Sequence, residues 1–115
     1  MKTLNELRLK QKEKKAVIEA SKLLREKFPV KSVILFGSKA RGDDDKESDI
    51  DLLLLTTRPI HWKERKAIID ALFDIELNYN VVISTLDITV SEWEKGIFTI
   101  FPFHKEIRKQ GVLTA

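Results

Sequence analysis

Apolar residues recur at helical intervals early in the chain: Val17, Ala20, Leu24 and Phe28 share one face until Pro29 ends the pattern. Upstream, Thr3 and Glu6 have the spacing at which a hydroxyl and a carboxylate cap a helix start. A long first helix over about residues 4 to 28 follows. Its first half, Arg8 to Lys15, is rich in basic residues and almost devoid of an apolar face, so it reads as a solvated helix extension or as a contact for nucleic acid or a partner.

The period then changes. Ser32 to Phe36 is short, β-branched and apolar and runs into Gly37-Ser38, which describes a buried strand ending in a turn. Asp49 to Thr56 reads as a second strand. Between them Arg41 to Ser48 is polar, with Gly42 and the triplet Asp43-Asp44-Asp45, and suits an exposed connection whose one helical turn begins at Ser38. Beyond Pro59 the residues Ile60, Ala67, Ile68, Ala71 and Leu72 define a second amphipathic helix through about Leu77, and Asn78 to Asn80 supply turn chemistry. Val81 to Ser84 is a third strand; Ser91 with Glu94 starts a short helix ended by Gly96, and a last helix over about Ile97 to Gln110 is interrupted or delayed by Pro102. The order α-β-β-α-β-α predicts an α/β or α+β sandwich, a small mixed sheet covered by helices, in one domain spanning residues 1 to 115.

Composition narrows the class. With 43% hydrophobic and 34% charged residues the chain is expected to be globular rather than disordered. Leu52 to Leu55, an apolar run that no other exceeds, is far short of the roughly 18 residues that span a bilayer, so no membrane partner and a cytoplasmic location are expected. The absence of cysteine excludes disulfides and thiolate metal sites, and His61 and His104 lack ligand spacing for zinc; His61 is better placed to start the second helix. A net charge of +3, from 21 basic and 18 acidic residues, makes no general case for nucleic-acid binding. Trp62, Trp93, Phe98, Phe101 and Phe103 are read as core, with a protein interface implied if the three phenylalanines are exposed.

The chemistry concentrates in Gly37-Ser38-Lys39-Ala40-Arg41-Gly42, six further residues, and Asp49-Ile50-Asp51. On a strand, Asp49 and Asp51 point the same way with Cα atoms roughly 6.6 Å apart. An isolated Asp-x-Asp would ordinarily be the wet face of a strand, but the run Leu52 to Leu55 argues for burial. Two converging carboxylates repel without a cation, and hard oxygen ligands suit Mg²⁺ together with phosphate. Gly37 permits close backbone approach, Ser38 and the nearby amides can cradle phosphate oxygens, and Arg41 can add positive charge or pair with one of the three Asp residues. Ser48 is read as holding the turn that orients the carboxylates.

These residues resemble the minimal nucleotidyltransferases of the DNA polymerase beta superfamily, whose signature is Gly-Ser, ten residues, then Asp-x-Asp; here Lys39 to Ser48 is the ten-residue spacer. The likeness is specific over residues 33 to 55 and extends by element order to about residue 95. It implies that Asp49 and Asp51 bind catalytic Mg²⁺ and that Gly37, Ser38, Arg41 and Ser48 bind the nucleotide. A nucleoside monophosphate, AMP from ATP or another triphosphate, then passes to a protein or RNA hydroxyl as pyrophosphate leaves. Family members usually add a third carboxylate on the strand after the second helix, where this chain offers Asn80, an amide that can ligate weakly but cannot act as a base, with Glu76 and Asp87 as flanking alternatives. Stand-alone members act as antitoxins to HEPN ribonucleases, some by adding AMP to a tyrosine. A homodimer or hetero-oligomer is compatible with this, and so is an alternative role as a nucleotide-binding module that neutralises its partner by contact.

Overall fold

The computed structural model describes residues 2–7, 9–42 and 49–114. Its elements are β1 (Lys2–Thr3), a 3₁₀ turn (Leu4–Glu6), α1 (Gln11–Lys27), β2 (Val30–Phe36), α2 (Ser38–Arg41), β3 (Ile50–Thr56), α3 (Trp62–Tyr79), β4 (Ile83–Thr89), α4 (Val90–Lys95), a second 3₁₀ turn (Ile97–Ile100), α5 (Pro102–Gln110) and β5 (Val112–Leu113). The five strands form one mixed sheet in the order β1-β5-β2-β3-β4. Strand β2 is antiparallel to β3 and β5, whereas β3 runs parallel to β4 through the crossover helix α3.

Alternation along β2 and β3 divides their side chains between two helical layers. Val33, Leu35, Ile50, Leu52 and Leu54 join Val17, Ala20, Leu24, Ile68, Leu72 and Ile75 in a core under α1 and α3. Ile34, Leu53 and Leu55 join Ile88, Trp93 and Ile107 under α4 and α5. The central strands are thus apolar on both sides, which is why Leu52 to Leu55 carries no polar alternation. This is the mixed sheet covered by helices that the pattern predicts.

Several boundaries differ from the sequence reading. The Thr3–Glu6 hydrogen bond forms at 3.2 Å, but around a 3₁₀ turn; α1 begins only at Gln11, where Glu13 Oε1 accepts from Lys10 N–H at 3.1 Å. Strand β4 runs to Thr89 rather than Ser84 because parallel pairing with β3 continues through Thr56↔Thr89. On α3 the buried positions are Ile68, Leu72 and Ile75, while Ala67 is exposed. Of the two outcomes expected at Pro102 the helix start is delayed rather than the helix interrupted, because Pro102 is the first residue of α5. The short strands β1 and β5 were absent from the pattern; the Thr114 hydroxyl just beyond β5 lies 2.9 Å from both Val33 O, which accepts its proton, and Ser21 Oγ. Among the described residues no helix is long and apolar enough to cross a membrane.

Candidate active site

Strand β2 delivers the chain to Gly37, whose φ of 78° lies in the region that L side chains avoid. A Cβ at this position would collide with Asp51 Oδ2, so the missing side chain is what lets the carboxylate lie against the turn. The four-residue α2 follows, with Arg41 N–H donating to Gly37 O at 3.2 Å and Gly42 N–H to Ser38 O at 2.9 Å. A helix start leaves its first-turn amides without intrahelical partners, and those of α2 begin at Ser38. Gly42, at φ 80°, closes the turn.

Asp51 reaches the turn from β3. It is registered with Phe36 on β2 and with Ser84 on β4 and belongs to the face under α4 and α5. Burial pushes its carboxyl above the ordinary range, the charge of Asp49 pushes it further, and Arg41 opposes both. Asp49, exposed just ahead of β3, is therefore close enough to act on Asp51 electrostatically, as alternation requires. The structure brings Gly37, Ser38, Arg41, Asp49 and Asp51 into one locality. Two carboxylates that repel each other beside a glycine turn form a hard-oxygen donor set suited to a divalent cation.

Lys39 is turned away from this face. It is buried and forms an ion pair with the equally buried Glu13 at 2.5 Å, tying α2 to the first turn of α1. Arg41 Nη1 stands 3.5 Å from Glu106 Oε1 on α5, so the alternative of pairing with the Asp triplet lies outside the described residues, as do Asp43, Asp44, Asp45 and Ser48 themselves. Beside the turn opens a cleft of ≈ 220 Å³ walled by Phe36, Gly37, Arg41, Phe103, Glu106 and Gln110 among others. Gln110 also lines the cleft, while its Oε1 is buried with no hydrogen-bond partner among the described residues.

The sequence offers Asn80 as a possible third ligand, with Glu76 and Asp87 as alternatives. Asn80 caps α3 in the left-handed conformation at φ 52°, ahead of β4, and its carbonyl accepts from Lys12 Nζ at 3.3 Å; no ladder position joins it to Asp51. Glu76 Oε2 accepts from Ile83 N–H at 3.1 Å, and Asp87 makes a two-pronged pair with Arg65 at 2.9 Å on each prong. The residue that the parallel ladder sets beside Asp51 is Ser84. Counting forward from Asn80 by strand alternation marks that place, but only once the start of β4 is known. His61 caps α3 as expected, its Nδ1 accepting from Lys63 N–H at 3.2 Å. His104 is buried against Trp93, with Nε2 2.8 Å from Trp93 O.

Known proteins resemble this chain. A protein of Methanocaldococcus jannaschii named "Putative protein adenylyltransferase" is 34% identical over 101 residues, covering 86% of this chain and 94% of the relative. A second of that name and organism is 41% identical over 68 residues, covering 59% of this chain and 67% of its own length. Two solved structures share the fold. One, a "putative nucleotidyltransferase" from Sulfolobus solfataricus, aligns with a TM-score of 0.56 at 21% identity over 87% of this chain and 77% of the other. The second, described as a toxin-antitoxin with AMP-PNP, aligns with a TM-score of 0.59 at 20% identity over 87% and 70%. Residues 19–100, which take in both the glycine turn and the carboxylate pair, match the family described as Polymerase beta, Nucleotidyltransferase. The chain belongs to that nucleotidyltransferase family, as a minimal nucleotidyltransferase of the polymerase beta superfamily.

Proposed function

We propose that this protein transfers AMP from ATP to a hydroxyl of a partner protein, with Mg²⁺ held by Asp49 and Asp51, and that the partner is a HEPN-type ribonuclease toxin restrained by the modification in the cytoplasm. The observation that carries this reading is the seating of Asp51 against Gly37, which sets a carboxylate pair beside a phosphate-cradling turn. The names of the M. jannaschii relatives support a protein acceptor, and the toxin-antitoxin assembly with AMP-PNP supports both an adenine nucleotide and the antitoxin role.

In this reading Ser38 and the first amides of α2 hold phosphate oxygens, and Arg41 offsets their charge. The acceptor oxygen bonds to the α-phosphorus as the bond to the bridging oxygen breaks, the acceptor proton is released, and pyrophosphate departs. Bound Mg²⁺ supplies Lewis acidity and aligns the phosphates.

A second reading is favoured by Ser84. On the strand where the family usually sets a third carboxylate, the residue registered with Asp51 is a serine, which offers no base at neutral pH and suits a module that binds nucleotide and silences its partner by contact. Calorimetry of ATP, GTP, CTP and UTP with and without Mg²⁺, on the intact protein and on Asp49→Asn, tests the site. Metal-dependent ATP binding lost in the variant supports it, and absence of all binding sinks it. Asp49→Asn with Asp51→Asn then separates the readings: transfer and protection vanish together if modification protects, whereas protection without transfer selects the contact mechanism.

A further inference from the structure

Helix α3 carries two apolar faces. Ile68, Leu72 and Ile75 enter the core beneath it. Trp62, Ile69, Phe73 and Leu77, spaced by seven, four and four residues, line up on another side and are 63%, 57%, 56% and 64% exposed. Four large apolar side chains in a row present several hundred Å² of apolar surface, the scale that marks an interaction site on a soluble protein.

The stripe rests on a firmly held support. Arg65 grips Asp87 of β4 through both guanidinium prongs, Glu76 accepts from the Ile83 amide, and the Tyr79 hydroxyl donates to Glu19 of α1. Strand β4 is the last in the sheet, so among the described residues no further strand covers this flank. The stripe also lies on the opposite side of the sheet from the cleft at Gly37, since α3 packs over the α1 layer.

Charge selects the occupant. Beside the stripe, on a single flank of the helix, stand the exposed Lys63 and Lys66 in the first half and the exposed Asp70 and Asp74 in the second. When two helices related by a two-fold axis pack antiparallel, the same flank of each meets, with direction reversed. The basic half of one copy then faces the acidic half of the other, whereas in a parallel two-fold pair this flank meets the partner's other flank and its charge sequence finds no complement in itself. An apolar stripe bordered by a self-complementary charge sequence fits one partner by its own chemistry.

We propose that the outward face of α3 is a dimer interface on which two copies of this chain pack helix against helix in antiparallel order, leaving both candidate active sites open. The proposal is independent of catalysis. It requires an isologous contact in which Trp62 of one copy lies toward the Leu77 end of the other, with Ile69 and Phe73 at the centre.

Sedimentation velocity on the full chain over a wide concentration range tests it. The intact protein should sediment as a dimer, and Phe73→Asp, at an exposed position that leaves the folded circular dichroism unchanged, should weaken association on the order of thirtyfold or more. Two charge variants sharpen the result: Lys63→Glu with Lys66→Glu, and Asp70→Lys with Asp74→Lys. Each should remain monomeric alone, because its flank then carries one sign throughout, and an equimolar mixture should restore the dimer. A chain that is monomeric at every concentration, as expected if a different protein occupies the stripe, overturns the proposal. So does a dimer indifferent to Phe73→Asp, or a mixture of the charge variants that fails to associate.

Discussion

Asp51 stands where burial and a like-charged neighbour both disfavour its ionised form, with Arg41 only partly offsetting them. Its folded-state pKa lies above the unfolded value of 3.8, so the native state takes up a proton as pH falls through the interval between the two. By linkage, stability declines as pH rises through that interval and stays lower at neutral pH. Asp51→Asn removes the strain together with the charge. We expect the ligand-free variant to melt at a higher temperature than the parent at neutral pH, with the difference vanishing below the ordinary Asp range, while Mg²⁺-dependent nucleotide binding is abolished. Thermal unfolding across pH, paired with calorimetry, checks both halves; a variant no more stable than the parent would show that Asp51 carries no site strain. At this scale the motif was legible because Gly37 and Asp51 have few physical alternatives: a positive φ beside a carboxylate admits only glycine. Ser84 was not legible, because its place depends on the ladder register with β3, which no local pattern encodes.

At the scale of elements, α3 shows which local signals survive folding. Its first turn is fastened by His61 and by Glu64, whose carboxylate accepts from Arg58 at 2.6 and 2.7 Å and from the His61 amide at 3.3 Å. The Arg58 hydrogen bonds hold the Glu64 carboxyl down to about 2, below its ordinary 4.5. A depressed carboxylate contributes stability that is present above the unfolded pKa and lost as pH falls toward the folded one. The melting temperature of the intact protein should therefore fall between about pH 4.5 and about pH 2 more steeply than that of Glu64→Gln. The difference should shrink in high salt because the pair is exposed. Parallel melting curves for the two proteins in that window would refute it. The same helix was read almost to its ends from periodicity, whereas α1 was started too early. Thr3 and Glu6 do bond, but Leu4 and Leu7 are drawn into the core from a 3₁₀ turn, and the competing start at Gln11 is fixed by Glu13. Likewise β4 is an edge strand whose polar and apolar residues mix, so its length came from pairing with β3 rather than from its own sequence.

For the molecule as a whole, the least legible feature is the one that joins the site to the rest of the fold. Lys39 and Glu13 are charged residues in stretches that read as solvated, yet both are buried and paired at 2.5 Å across the join of α2 and α1. Burial of the pair follows from the whole topology: α1 crosses beneath β2, and the turn after β2 drops Lys39 onto its first turn. Breaking such a pair from one side leaves a desolvated charge, and the cost is about 3–5 kcal/mol, whereas replacing both partners by apolar groups is often nearly neutral. Lys39→Met should accordingly destabilise the protein by an amount in that range, read from the denaturation midpoint at an unchanged slope, and Lys39→Met with Glu13→Leu should recover part of it, the remaining deficit being the cap that Glu13 gives Lys10 N–H. If the pair also fixes α2 in place, the double variant regains stability without regaining full nucleotide affinity, because the turn that begins at Ser38 is then held by packing alone. Recovery of both together would mean that the ion pair serves the fold and leaves the position of the phosphate-cradling turn to β2 and Gly37.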